Sequence, residues 1–223
     1  KCMVPDAAHA MWSAVVGSNA EGDSVIALVA GNDVAAQAQA SHALIDLTKR
    51  ATTIDFTGVK AQRVLSGDKV TSAIRDYLLI GALLTAAEAV GSTSACLAGI
   101  VDYLKTRKQF GKLIGSFQAL KHPTVDIYVG MEHSRSLVYH ASSEIDDGPL
   151  SVEAEVACRM AKAKASDTIQ YAGDRSVQFH GGFGFTWECD SSLFIRRAAW
   201  SQQQFGDAMH HRKRLAPLLL DSE

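Results

Sequence analysis

The stretch Lys105–Gln118, KTRKQFGKLIGSFQ, combines side chains that suit the binding of a nucleotide. An arginine fork fits a phosphate, amide side chains fit the edge of a planar heterocycle, and aromatic rings can cover its face. The same composition also fits the C-terminus of a helix, where Lys and Arg complement the helix dipole ahead of a glycine turn. Composition alone leaves both interpretations open for Arg107, Gln109, Phe110, Phe117 and Gln118.

A second stretch, Gln178–Thr186 with the sequence QFHGGFGFT, has three glycines within four positions. Such a backbone can approach an anionic or flat ligand closely because no Cβ atoms stand in the way. The stretch could equally be a tight turn between two helices. His180 is by itself more often a structural residue than a base, and no second His, Ser or Cys is spaced to form a triad with it. The candidate ligand contacts here are Gln178, His180, Gly181 and Gly182.

Composition narrows the class of protein. The chain has 223 residues, 47% of them hydrophobic, which is enough to bury a sizeable core. A net charge of -2 and a pI of about 6.5 give no electrostatic reason to expect nucleic acid or an anionic membrane as the main partner. The sequence shows neither an uncharged apolar run of membrane-spanning length nor a secretion signal, so we expect a cytoplasmic protein. Four widely spaced cysteines without a CxxC pair are expected to be reduced thiols rather than disulfides or metal ligands.

The first 68 residues carry the pattern of β-strands. Short runs at 12–18, 24–31 and 51–59 are rich in β-branched and aromatic residues and are separated by turn sequences such as NAEGD and GND. The chain opens with Lys inside an apparent strand, so we expect further sequence upstream. Residues 1–68 are therefore predicted to be part of an antiparallel β-domain.

From about Thr71 the pattern changes to long, Ala-rich segments with helical spacing. We predict a first long helix there, a second from Ser116 to Asp146, and a third that is capped by Ser151 and ends near Phe179. Shorter helices are predicted near 190–203 and 207–220. The fold class is thus α+β but mainly α, with an antiparallel helical bundle over residues 69–223.

In this order and at this separation, the two chemical stretches resemble the C-terminal half of the acyl-CoA dehydrogenase family. The resemblance rests on R-K-x-F-G-x-x-I-x-x-F-Q, followed about sixty residues later by Q-x-x-G-G-x-G-F. The opening KCMVPDAAHAMWSAVV looks like the family's central β-domain, entered part-way. The family's N-terminal helical domain and the first part of its β-domain have no counterpart in this sequence.

The resemblance implies an FAD enzyme, usually tetrameric, that oxidises the Cα–Cβ bond of an acyl-CoA thioester. In such tetramers a neighbouring subunit holds part of the ADP half of each FAD through these two motifs. Carried over by position, Arg107 would meet the pyrophosphate, and the adenosine side and the glycine loop would be lined by Gln109, Phe110, Phe117, Gln118, Gln178, His180, Gly181 and Gly182.

The same resemblance leaves the place of the catalytic glutamate empty. Aligned from GFGFT onward, the commonest position of that glutamate falls on Phe205, and the alternative position on the first long helix falls at Gly81-Ala82. None of the side chains at these two positions can accept a proton. The Thr and Gln that normally contact FAD correspond to Asp207 and Met209, and the strand that faces the flavin reads Met3-Val4-Pro5.

We therefore expect a non-catalytic subunit, with no catalytic residue and no metal of its own. Its partner would be a homologous catalytic subunit in an α2β2 complex that acts on an acyl-CoA, similar to the actinobacterial enzymes of steroid and cholesterol side-chain degradation. One alternative is a homotetrameric dehydrogenase with an unrecognised base, for which Glu88 and Glu188 are candidates. The other is a flavin-free scaffold protein that has kept the bundle for assembly.

Overall fold

The computed structural model describes residues 1–220 and divides the chain into two compact units, Lys1–Tyr77 and Leu78–Glu223. The helix that crosses this boundary begins in the first unit and continues into the second. Each unit is described by itself below.

The first unit contains two three-stranded antiparallel sheets. Strands β1 (Val4–Pro5), β5 (Ala51–Ile54) and β4 (Ala38–His42) form one sheet in the order β1-β5-β4. Strands β2 (Trp12–Ser18), β3 (Ser24–Ala30) and β6 (Arg63–Leu65) form the other in the order β2-β3-β6. A short helix, α1 (Gly31–Ala36), follows β3. The core of this unit consists of Ala7, Val29, Val34 and Ile54.

Two of the three predicted strands have the predicted extent, and the third is shorter. The 51–59 run stays extended only as far as Ile54, where the side chain of Asp55 takes over the hydrogen bonding. One Asp55 carboxylate oxygen accepts hydrogen bonds from the backbone N–H of Thr57 at 3.0 Å and from its hydroxyl at 2.7 Å. This Asx turn ends the strand locally. The sequence pattern missed β4 and β6.

Five helices, three long and two of medium length, dominate the rest of the described chain. They are α2 (Asp68–Thr106), α3 (Gln118–Ser143), α4 (Val152–His180) and the pair α5 (Ser191–Gln203) and α6 (Ala208–Leu220). A two-stranded hairpin, β7 (Lys108–Gln109) and β8 (Lys112–Leu113), separates α2 from α3. The predicted cap of α4 is confirmed, since the Ser151 hydroxyl accepts a hydrogen bond from the N–H of Ala154 at 3.0 Å. The mainly helical fold class is confirmed as well.

Helix α4 lies at the centre of the second unit and packs against α3, α5 and α6. Its buried face is lined with small residues, so the neighbouring helices can approach closely. Around it, α2 and α3 supply larger side chains to a common core. The small residues on α4 are Ala154, Ala157, Ala161, Ala165 and Ala172.

Among the described residues, α2 is the one helix long and apolar enough to cross a membrane, and half of its most apolar window is buried inside the protein. Core helices of globular proteins have the same character. Three of the four cysteines are buried and none is in a disulfide. Burial raises the pKa of Cys96 to about 12 and that of Cys158 to about 11, so both thiols stay protonated near neutral pH.

Candidate functional site

A cavity of about 690 Å³ in the second unit brings the two chemical stretches together. It lies between the end of α2, the β7–β8 hairpin and the end of α4. Seven of the predicted residues line it: Arg107, Gln109, Phe110, Phe117, His180, Gly181 and Gly182. Gln118 and Gln178 are exposed and are not part of the cavity wall. Sequence analysis missed the other lining residues, which are Tyr103, Ile114, Leu120, Phe179 and Phe183.

The hairpin that follows Arg107 turns through two residues with left-handed backbone. Phe110 has φ 53° and Gly111 has φ 75°, as a type I′ turn requires. Glycine adopts this conformation freely, whereas for phenylalanine it costs roughly 1 kcal/mol. The turn holds the Phe110 ring at the tip of the hairpin, where 90% of the residue is exposed. A strained, exposed aromatic residue beside a cavity indicates a binding role.

Two further contacts fix the hairpin against the rest of the unit. The backbone carbonyl of Arg107 accepts a hydrogen bond from the N–H of Ile114 at 2.9 Å. The Phe117 ring meets Phe110 edge-on, with 6.1 Å between the ring centroids, and the Lys112 ammonium lies 5.0 Å from the Phe117 centroid. The backbone of Arg107 and the two aromatic rings are thereby fixed at the cavity, which the exposed Arg107 also lines.

The glycine loop forms the opposite wall. Helix α4 ends at His180, Gly181 follows with φ 62°, and residues Gly181–Phe185 form a 3-10 turn. The His180 ring stacks on Tyr103, with centroids 4.1 Å apart and planes inclined by 27°. Tyr103 lies four residues before Arg107, so it occupies the same side of α2. That spacing is the sequence pattern by which Tyr103 could have been recognised.

These residues together fit the ADP part of a dinucleotide. A guanidinium, an amide side chain, exposed aromatic rings and a glycine-rich backbone are the groups that bind phosphate and a flat base. Within residues 1–220, no group of three or more His, Cys, Asp or Glu side chains could hold a metal ion. The arginine, amide, aromatic and glycine groups that line the cavity suit an organic anion.

The two positions at which the resemblance places a glutamate lie against each other. A Cβ atom added to Gly81 would come within 2.3 Å of a Phe205 ring carbon, so the aromatic ring occupies the space beside the helix. Phe205 and Gly206 both have left-handed backbone, with φ 56° and 95°. An uncharged ring thus fills the place that either carboxylate would need.

A buried lysine holds the turn that carries Phe205. Lys162 on α4 has no exposed surface. Its ammonium group donates hydrogen bonds to the carbonyls of Ser201 at 3.1 Å and Gly206 at 2.9 Å, and to the Ser166 hydroxyl at 2.9 Å. These bonds clamp both ends of the 201–206 segment to the central helix. Lys162 was not among the residues that the sequence pattern singled out.

His211 supports the same turn from α6. Its Nε2 donates to the carbonyl of Phe205 at 3.0 Å, and the residue is 2% exposed. Burial lowers the pKa of His211 to about 4, and the neighbouring charge of Lys162 adds to this effect. Burial also lowers the pKa of Lys162 to about 8, against the opposing charge of Asp207. Folding therefore disfavours the positively charged form of both side chains.

We expect His211 to make the protein less stable in acid. The unfolded chain takes up the proton near the ordinary pKa of 6.5, whereas the folded chain takes it up only near 4. The stabilising contribution is therefore present above pH 6.5 and lost as the pH falls to 4, amounting to about 3 kcal/mol. Urea unfolding at several pH values measures it. In His211→Gln the amide can still donate to Phe205, and this acid dependence should disappear.

The exposed His133 on α3 provides the control. His133→Gln should keep the wild-type dependence of the free energy of unfolding between pH 4 and 6.5. If His211→Gln and His133→Gln follow the same curve as the wild type, the pKa of His211 is not lowered by folding.

The three carboxylates that the sequence placed near a possible active site, Asp207, Glu88 and Glu188, have structural partners or lie in solvent. Asp207 accepts a hydrogen bond from the N–H of His210 at 2.7 Å and so caps α6. Glu88 forms an ion pair with Arg197 at 2.6 Å. Glu188 is exposed, and hydrogen bonds from its own backbone and from Thr186 lower its pKa. A general base needs a free lone pair that can reach the substrate, whereas Glu88 is engaged by Arg197 and Glu188 lies in solvent with a lowered pKa.

Comparison with known proteins identifies the family. Residues 71–217 match the model of the acyl-CoA dehydrogenase C-terminal domain. The chain belongs to the acyl-CoA dehydrogenase family. It is 38% identical over 134 residues to acyl-CoA dehydrogenase IpdE2 of Mycolicibacterium smegmatis, a match that covers 60% of this chain and 40% of that relative. The chain thus spans well under half the length of this curated relative.

Solved structures show the same fold. The ChsE4–ChsE5 complex of Mycobacterium tuberculosis superposes with a TM-score of 0.82 at 21% identity, covering 100% of this chain and 59% of that one. The Tcur3481–Tcur3483 steroid acyl-CoA dehydrogenase superposes with a TM-score of 0.81 at 24% identity, covering 98% and 58%. At these identities the likeness establishes the fold.

Proposed function

We propose that this chain is a non-catalytic subunit of an FAD-dependent acyl-CoA dehydrogenase. It supplies part of the binding site for the ADP half of FAD to a homologous partner subunit, which carries the catalytic base. Residues 1–68 would be the end of the family's central β-domain, and residues 69–223 its C-terminal helical domain. The complex would be an α2β2 heterotetramer in the cytoplasm.

One observation carries the proposal: Phe205 packs against Gly81, so the two positions available to the family's glutamate contain an aromatic ring and a hydrogen atom. Loss of a general base lowers the rate of such a reaction by about 10²–10⁴-fold. Of the two other candidate bases, Glu88 is held in an ion pair with Arg197 and Glu188 is exposed. Among the described residues, this supports placing the base that removes the α-proton on the partner subunit.

The cavity of about 690 Å³, which we call the nucleotide cavity, is by contrast lined by groups that can bind the ADP half of FAD. When bound, FAD supplies the acceptor for the β-hydride of the substrate. Arg107 would pair with the pyrophosphate, while Phe110 and Phe117 would cover the adenine and Gly181 and Gly182 would let the backbone approach it. The exposed position of Phe110 favours a ligand shared with another chain, since its ring projects away from its own unit.

The partner and the substrate class are supported by relatives. Two solved structures of the same fold each carry the names of two proteins. They are the ChsE4–ChsE5 complex and the Tcur3481–Tcur3483 steroid dehydrogenase. We propose by analogy that this chain also pairs with a homologous subunit and that the complex acts on a steroid-type acyl-CoA.

Co-expression with the product of the adjacent gene tests the proposal. The purified chain alone should be colourless and inactive toward acyl-CoA, whereas the co-purified complex should be yellow and active. A flavin count per chain in the complex gives the stoichiometry. Stoichiometric FAD and acyl-CoA oxidation by the chain alone would contradict the proposal. Glu88→Gln and Glu188→Gln in the active complex should leave the rate within about twofold, given their surroundings.

Replacement of Arg107 should weaken FAD binding in that complex. Arg107→Gln removes a charge-assisted pair with the pyrophosphate, for which a loss of about ten- to a hundredfold in FAD affinity is expected. Equilibrium dialysis or flavin fluorescence on the apo-complex measures it. Arg214→Gln, an exposed arginine on α6, is the matched control and should bind FAD as the wild type does. Equal affinity in both variants would remove Arg107 from the site.

A further inference from the structure

The orientation of the His180 ring is set by its buried edge. Nδ1 lies 2.8 Å from the backbone carbonyl oxygen of Ser176. A carbonyl oxygen can only accept a hydrogen bond, so Nδ1 must carry the proton. The tautomer of this histidine is therefore determined by a backbone atom of α4, which side-chain substitution cannot remove.

A small polar network surrounds the same nitrogen. The Ser191 hydroxyl oxygen lies 2.9 Å from Nδ1 and also accepts hydrogen bonds from the Ser176 hydroxyl at 3.0 Å and the Cys189 thiol at 3.2 Å. Ser176 and Ser191 are each 2% exposed, and Cys189 is 4% exposed. Since the network is buried, the ring is locked at this edge and cannot turn over without breaking several hydrogen bonds.

The opposite edge of the ring carries Nε2. In a neutral imidazole with its proton on Nδ1, Nε2 has a free lone pair and can only accept a hydrogen bond. His180 lines the nucleotide cavity and is stacked on Tyr103, which holds the ring plane as the network holds its edge. His180 is thus a residue of the cavity wall whose ring is held in one orientation and whose Nε2 can act as an acceptor.

This acceptor differs from the other polar groups of the cavity. Arg107 can only donate, and the backbone N–H groups of the glycine loop also donate, so these suit phosphate oxygens. An imidazole lone pair would repel a phosphate oxygen. It requires a ligand group that donates, and the ADP part of a dinucleotide offers such groups in the ribose hydroxyls and in the exocyclic amine of adenine.

We propose that His180 is a specificity-determining residue of the nucleotide site, whose Nε2 accepts a hydrogen bond from a neutral O–H or N–H donor of the nucleoside and not from its phosphates. The inference rests on the proposed function, because it assumes that the cavity binds an adenine nucleotide. It deepens that function by assigning one side chain to the nucleoside and leaving the phosphates to Arg107.

Nuclear magnetic resonance of the purified chain with ¹⁵N-labelled histidine tests the tautomer without any ligand. The His180 resonances, assigned with the His180→Phe variant, should show a protonated Nδ1 and an unprotonated Nε2. Addition of ADP to the apo-complex, in which this chain carries the label, should shift the Nε2 resonance. A protonated Nε2 in the free chain, in the neutral ring, would overturn the inference even if a yellow complex forms on co-expression.

Nucleotide analogues identify the donor. IDP replaces the adenine amine by a carbonyl, and 2′-deoxy-ADP and 3′-deoxy-ADP each remove one ribose hydroxyl. One of these changes should weaken binding to the wild-type apo-complex by about tenfold relative to ADP, since Nε2 of His180 is then left without its donor. Loss with IDP assigns the amine, and loss with a deoxy analogue assigns the corresponding hydroxyl.

The variant and its control complete the test. His180→Phe keeps a ring to stack on Tyr103 but has no acceptor, so it should bind ADP about tenfold more weakly and no longer distinguish the analogues. His133→Phe, at an exposed position on α3, should behave as the wild type. Equal binding of all analogues by the wild-type apo-complex would overturn the inference. If the predicted tautomer is found but neither ADP nor flavin binds to the chain or its complex, the proposed function fails and the ligand assignment fails with it.

Discussion

Replacing Lys162 by Met is expected to lower the free energy of unfolding by about 2–4 kcal/mol. The side chain has no exposed surface, and its ammonium group serves the carbonyls of Ser201 and Gly206. A buried carbonyl left without a donor costs about 1–3 kcal/mol, and relief of the desolvated charge returns part of that cost. Urea denaturation of the purified chain, followed by circular dichroism, measures the difference.

Lys164 provides the matched control on the same helix. It lies two residues further along α4, is only half-buried, and lines a groove between α3 and α6 instead of reaching the 201–206 segment. Lys164→Met should change the free energy of unfolding by no more than about 0.5 kcal/mol. Equal losses in the two variants would mean that Lys162 does not clamp the turn.

Gly81→Ala is the second substitution with a large expected effect. In an exposed helix interior this change would stabilise by up to about 1 kcal/mol, because glycine is a poor helix former. Here the new methyl group would meet the Phe205 ring at 2.3 Å, and overpacking of this kind costs about 1–3 kcal/mol. Gly91→Ala on the same helix has no neighbour within 4 Å and should be neutral or stabilising.

A double-mutant cycle separates this clash from a general effect on α2. Phe205→Ala empties the space beside Gly81, so Gly81→Ala in that background should cost little or should stabilise. The coupling free energy between the two sites is expected to be about 2 kcal/mol. Additive effects would show that the two residues do not share one space. The coupling also implies that a carboxylate can be placed at position 81 only if the ring at position 205 is removed.

The turn at Phe205 and the hairpin at Phe110 have the same backbone conformation but place the phenylalanine ring in different surroundings. Each holds a phenylalanine in left-handed backbone directly before a glycine with positive φ. At position 205 the ring is turned onto its own bundle, where it fills the space beside Gly81. At position 110 the ring is left 90% exposed beside the nucleotide cavity. One phenylalanine packs within its own unit, and the other is exposed at the cavity.

Local patterns in the sequence were enough to predict the elements that depend on local forces. The spacing of apolar residues and the cap at Ser151 predicted α4, and its bounds differ from the prediction by about one residue at the C-terminal end. Runs of β-type residues between turn sequences predicted β2 and β3 in the same way. The third predicted strand was too long, because an Asx turn at Asp55 competes with the extended pattern that surrounds it.

The sequence by itself also determined which groups could bind a nucleotide, because the arginine, aromatic and glycine residues of the two stretches have that chemistry wherever the chain places them. Tertiary structure alone decided that Phe205 touches Gly81 and that Ser191 lies 2.9 Å from the Nδ1 of His180. Tertiary structure also decided that Lys162 is buried whereas Lys164 is only half-buried. Two residues apart on a helix of 3.6 residues per turn, they point to nearly opposite sides, and only the packing of α5 and α6 on α4 decides which of them is buried.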